Sequence, residues 1–100
     1  MPDGFDAIEY PLDYSFKAVC EFMVVDNDAD IGEEIRSIEQ KVQSTVAEIV
    51  GDSAVKNVAS KISKAGNYIS VTTTARLENR QQLEKTYHDL SVLEIVKMTL

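Results

Sequence analysis

Two residue types that carry much of protein chemistry are almost missing: Cys20 is the only cysteine and His88 the only histidine in 100 residues. One cysteine excludes an internal disulfide, an iron–sulfur cluster, a Cys-x-x-Cys copper site and a Cys-rich zinc site. No histidine neighbours Cys20 in sequence, and a nucleophilic thiol needs a base within hydrogen-bond reach. A lone histidine supplies no metal site, and acid–base work at His88 lacks an identifiable partner. Long apolar runs are absent as well, so no membrane-spanning helix is expected. Met1–Phe5 has no basic stretch leading into an apolar one, so no signal peptide is expected and the location is read as cytoplasmic. A glycine-rich phosphate loop, a G-x-S-x-G elbow, internal repeats and low-complexity linkers are all missing. The expectation is one small domain that is not an enzyme and that carries neither metal nor cofactor.

Charge is present, but unevenly. The net charge is −7. Residues 1–55 hold 13 acids against 3 bases, whereas residues 56–100 hold 4 against 7. An acidic half repels nucleic-acid phosphates and anionic membranes. The mildly basic half is left as the part suited to a small anion.

The hydrophobic pattern divides the chain. Residues 1–13, with Pro2, Gly4 and Pro11, read as an irregular lead-in. From Tyr14 to Val24 the residues alternate, with Tyr14, Phe16, Ala18, Cys20, Phe22 and Val24 on one face, as in a half-buried strand. Asp26–Asp30 breaks it. Ile31, Ile35, Ile38, Val42, Val46 and Ile49 then recur every three or four residues, which predicts a helix from Ile31 to Val50. Asp30 is its expected cap, Glu33 completes a capping-box-like pair, and Gly51 its terminator. Val55–Lys64 and Tyr68–Leu77 read as strands joined by a turn at Ala65-Gly66-Asn67. Ile69, Val71, Thr73, Ala75 and Leu77 form the inner row of the second of these. A helix opens at Asn79 with Leu83, Tyr87 and Leu90 as its stripe. His88 then falls on the flank of that helix. Leu93–Leu100 is the last strand, and either of its rows suits the core.

This β-α-β-β-α-β order defines an α+β ferredoxin-like sandwich, a four-stranded antiparallel sheet with two helices on one face. The first and third strands take the centre. The uncovered sheet face then carries Lys17, Glu21, Lys61, Ser70, Thr72, Thr74 and Arg76, with Val19, Met23 and Tyr68 as its apolar part. An RNA-reading sheet needs stacked aromatics on its central strands, and only Tyr68 is offered. Asp26-x-Asp28-x-Asp30 starts like a calcium loop, but Ile31 and Ser37 stand where glycine and glutamate are needed. Acids also stand where a phosphate cradle would follow the first strand. The expected ligand site is therefore the open face. Lys17, Lys61 and Arg76 are placed to meet a carboxylate, with Ser70 beside them and Tyr68 or Met23 against an apolar tail. A protein partner at a sheet edge or on the acidic first helix (Glu33, Glu34, Glu39, Glu48) is the alternative, including a homodimer formed by edge pairing.

Three stretches carry a family resemblance: Glu9-Tyr10-Pro11-x-x-Tyr14-x-Phe16-Lys17, then Gly66-Asn67-Tyr68-x-Ser70-Val71-Thr72, then Val96-Lys97-Met98-Thr99-Leu100. They resemble the YbeD-like small bacterial proteins, over nearly the whole chain from Phe5 to Leu100. The first helix matches by pattern only, and the acidic turn at Asp26–Asp30 looks peculiar to this chain. The resemblance implies the ferredoxin-like fold and a likeness to ACT-type regulatory domains, which bind small metabolites. It also implies a link to lipoate metabolism, with a lipoate-like carboxylate as the ligand. It brings no catalytic residues.

Overall fold

Alternating segments become strands here because each buries one row of side chains against helices that themselves have a single apolar stripe. The computed structural model describes residues 9–21, 31–64 and 66–100. Phe22 and Val24 of the expected core row and Met23 of the expected open-face row lie outside the described residues, as do the Asp26–Asp30 turn with its capping aspartate, the Ile31 side chain and Ala65. The elements are β1 (Leu12–Glu21), α1 (Ile31–Val50), β2 (Val55–Ile62), β3 (Tyr68–Leu77), α2 (Arg80–Ser91) and β4 (Val96–Thr99), with a short 3-10 turn at Asp52–Ala54. The strand order is β2-β3-β1-β4, and all neighbours are antiparallel. The ferredoxin-like α+β sandwich, with the first and third strands at its centre, is thus the fold.

The central pair is the most regular part. β1 and β3 run in register from Leu12–Leu77 to Glu21–Tyr68 without a shift. Most of their inward rows is fully enclosed, Phe16, Ala18 and Cys20 from β1 and Ile69, Val71, Thr73, Ala75 and Leu77 from β3, while Tyr14 is half-buried at the end of its row. Ile38, Val42 and Val46 of α1 and Leu83 and Leu90 of α2 close the core from the other side. The expected inner row of β3 is therefore seated as the alternation requires. Thr73 is its one polar member, and its hydroxyl finds no partner among the described residues.

Two helix ends show their physical causes plainly. Asn79 caps α2 by accepting a hydrogen bond from the Gln82 backbone N–H at 2.9 Å, and the Gln82 side chain accepts from the Glu78 N–H at 2.7 Å. These bonds satisfy amides that a helix start leaves without partners. α1 ends at Gly51, whose φ of 94° and ψ of 147° lie in a region open in practice only to glycine.

Three boundaries differ from the sequence pattern. β1 begins at Leu12, inside the expected lead-in, because Leu12 and Asp13 continue the ladder opposite Leu77 and Arg76. β2 stops at Ile62 rather than Lys64, since Ser63 already closes the turn by donating its N–H to the Tyr68 carbonyl at 2.8 Å. β4 is shorter than Leu93–Leu100. Leu93 and Ile95 pack against the core from a turn, and the strand proper starts at Val96. A register shift beside Val19/Cys20 then lets Val96 point inward while Met98 lies opposite Val19 on the uncovered face.

Candidate functional site on the open sheet face

Cross-strand register decides which side chains of the open face meet. In β2, β3 and β1, Lys61 stands opposite Ser70, and Ser70 opposite Val19. One step along, Ala59 stands opposite Thr72, and Thr72 opposite Lys17. Side chains opposed in this way have Cβ atoms about 5 Å apart. Two shallow depressions result, of about 300 and 170 Å³, sharing Lys61 and Ser70. The larger is completed by Val19, Ile62, Ser63, Lys64 and Tyr68, the smaller by Lys17, Ala59, Ser60 and Thr72.

The hairpin holds this surface in place. Ser63 Oγ accepts from the Tyr68 N–H at 3.2 Å, and Ser70 Oγ donates to the Lys61 carbonyl at 3.4 Å. Gly66, at φ 77°, makes the turn and donates to the Ser63 carbonyl at 2.9 Å. Lys17 is fixed on its other side by Leu100, whose N–H donates to the Lys17 carbonyl at 2.8 Å. Lys17, Lys61 and Lys64 are exposed, and no acid among the described residues forms an ion pair with them.

Four of the five expected site residues are therefore brought together: Lys17, Lys61, Tyr68 and Ser70. Arg76 is not. It lies six residues along β3 from Ser70, about 20 Å at strand rise, and its guanidinium is 4.0 Å from Asp13. The sequence reading missed Ser63 and Lys64, because both sit past the last paired residue of β2 and their position depends on the turn. It also left open the row that puts Met98 and Leu100 on this side. They are 51% and 58% exposed, and with Val19 of the neighbouring strand they make the β4 side of the face apolar.

The lone reactive groups stand elsewhere. Cys20 is fully enclosed in the core, and burial pushes its thiol pKa up, away from the reactive thiolate. His88 is exposed on α2, on the flank where the helical spacing put it. Among the described residues no group of three or more His, Cys, Asp or Glu side chains is arranged to hold a metal ion. None of the described helices is long and apolar enough to cross a membrane.

These features define a small α+β domain with a lysine-flanked, partly apolar sheet surface. A family model described as a protein of unknown function, DUF493, matches residues 6–100. The chain belongs to that family, the YbeD-like small bacterial proteins. A UPF0250 protein of Neisseria gonorrhoeae is 34% identical over 62 residues, covering 62% of this chain and 68% of that protein. One of Buchnera aphidicola is 45% identical over 40 residues, covering 40% of this chain and 46% of that relative. Among solved structures, the C-terminal domain of the MgtC protein from Mycobacterium tuberculosis superposes with a TM-score of 0.63 at 12% identity, covering 93% of this chain and 87% of that one. Protein HP0495 from H. pylori gives 0.61 at 17% identity, covering 100% and 94%. At these identities the two structures speak for the fold alone.

Proposed function

We propose that this chain is a non-enzymatic, cytoplasmic ligand-binding domain of the ACT-like regulatory type, and that its open sheet face holds a small carboxylate. The observation that carries this reading is the meeting of Lys17, Lys61 and Lys64, free of acidic partners among the described residues, around Ser70 and Tyr68. A carboxylate there would accept charge-assisted hydrogen bonds from the ammonium groups and a further one from a hydroxyl. An apolar tail would run over Val19 toward Met98, across strands spaced about 4.8 Å apart. Lipoate fits that chemistry as a carboxylate with a short apolar body, and the family resemblance makes it the first ligand to try.

The experiment is an NMR titration of labelled protein with lipoate, octanoate and single amino acids. Shifts confined to Val19, Lys61, Tyr68 and Ser70 are expected with the first two. Absence of any shift on β1 and β3 at millimolar ligand would remove the site. A second reading makes the chain a protein-interaction module. On the acidic helix, Glu39 already accepts a hydrogen bond from Ser60 at 2.7 Å, so it is drawn toward the sheet. The free edge of β2 offers more.

A further inference from the structure

The two edges of the sheet are unequal. β4 has four residues, shifts register against β1, and its Lys97 is 3.3 Å from Glu21. β2 has eight residues and stays in step with β3 from Asn57 to Ile62. Lys56, Lys61 and Lys64 lie on or beside it, all exposed and without an ion-pair partner among the described residues.

Backbone alternation shows what the β2 edge presents. Ser63 donates its N–H to the Tyr68 carbonyl, so Lys61, Ala59 and Asn57 also turn their N–H and C=O groups toward β3. Val58, Ser60 and Ile62 therefore turn theirs outward. A row of unpaired donors and acceptors of this length is a template for one more strand.

The flanks of the edge select what that strand carries. On the open face stand Lys61 and, just past the strand, Lys64, while exposed Lys56 sits at the register shift near the other end of the edge. On the helix face stand Val58, half-buried, and Ile62, 38% exposed, with Glu39 held beside Ser60. An incoming strand thus meets cations on one side and apolar surface with a carboxylate on the other. A second copy of the chain fits less well. Its own β2 edge offers the same three lysines and no acid between Val55 and Lys64, so like charge would meet like charge.

We propose that the β2 edge is the docking site for an extended acidic peptide, with acidic and apolar side chains alternating, which adds as a fifth strand of the sheet. The site adjoins the carboxylate site on the face and shares Ser60, Lys61, Ile62 and Lys64 with its lining, but it binds through the outward backbone groups of Val58, Ser60 and Ile62.

A short capped peptide of alternating Glu and Val is the probe, followed by calorimetry and by NMR of the full chain. The amides of Val58, Ser60 and Ile62 should shift and exchange more slowly with solvent. Ser60→Pro, which removes an outward N–H that the fold does not use, should weaken binding by about tenfold, since a lost hydrogen bond is worth about 1 kcal/mol and a bulky ring stands in its place. Ser60→Ala, which loses only the bond to Glu39, should stay within about threefold of the original affinity. Reversing Lys56, Lys61 and Lys64 to Glu should abolish peptide binding, whereas Lys17→Gln, on the central strand β1, should leave it unchanged. The proposal is overturned if a peptide with the same residues in blocks binds equally well, or if the shifts fall outside β2. It is also overturned if the edge amides are protected without peptide while light scattering shows a dimer.

Discussion

Tyr14 Oη and Tyr87 Oη lie 2.6 Å apart, joining the central strand β1 to α2. The Tyr87 hydroxyl also reaches the Leu100 carbonyl at 3.3 Å, and the Tyr87 ring meets the Phe16 ring edge-on with centroids 5.1 Å apart. One phenol therefore ties α2, β1 and the end of the sheet together. Tyr87→Phe keeps the ring and loses the hydroxyl, and should cost about 1 kcal/mol in urea unfolding at pH 8.

The same phenol predicts a pH dependence. Burial, and then the bond to Tyr14, push the Tyr87 pKa well above its ordinary value. The unfolded chain releases this proton near pH 10, whereas the folded chain retains it. Above about pH 10 the folded state binds more protons than the unfolded one, so stability falls with rising pH. The Tyr87→Phe variant lacks this titration. Its deficit relative to the original protein should shrink between about pH 10 and 11 in calorimetric melts. A constant deficit would show that the phenol titrates alike in both states.

Thr73 should be improvable. Its side chain is fully enclosed between Phe16 and Val58 in the cross-strand register, and its hydroxyl has no partner among the described residues. Burying an unpaired hydroxyl costs about 1–3 kcal/mol. Thr73→Val replaces it by a methyl of similar size, and should raise the urea midpoint by about 1 kcal/mol of stability at unchanged slope.

Gly51 tests backbone conformation without packing. A Cβ built there meets nothing within 4 Å, so space is available. The conformation itself is what an L side chain resists. Gly51→Ala should destabilise by about 1–3 kcal/mol, measured by the same unfolding curves. A neutral result would mean that the α1–β2 connection relaxes to a conformation with negative φ.

The open face gives a pair of opposite expectations. Lys61→Gln should weaken lipoate or octanoate binding by about tenfold, as a charge-assisted hydrogen bond is worth about 1.5–3 kcal/mol. Arg76→Gln should leave it unchanged, because Arg76 lies at the far end of β3 beside Asp13. NMR titration of both variants decides between a local site and a general effect of charge.

The architecture was legible because period and burial coincide. β3 and both helices follow the residues that their patterns predict, and Asn79 caps α2 where its residue type suggested. Lys17, Lys61, Tyr68 and Ser70 could be grouped from alternation alone, since a shared face follows from parity. Position along the strand does not. Arg76 shares that parity but lies six residues along β3 from Ser70, about 20 Å at strand rise, so parity alone does not place it. The β4 row was undecidable for the same reason. Both of its rows are apolar, and the register shift beside Val19/Cys20 that turns Val96 inward leaves no mark in composition.

The unbroken β1–β3 ladder has a consequence for how the chain reaches this structure. β2 and β3 adjoin in sequence and can zip from their turn, whereas β1 must meet β3 across the whole of α1 and β2. Closing so long a loop costs entropy before the ladder returns any stability. The strand that emerges first during synthesis thus waits, partnerless, until β3 has been made, and only then does the centre of the sheet form.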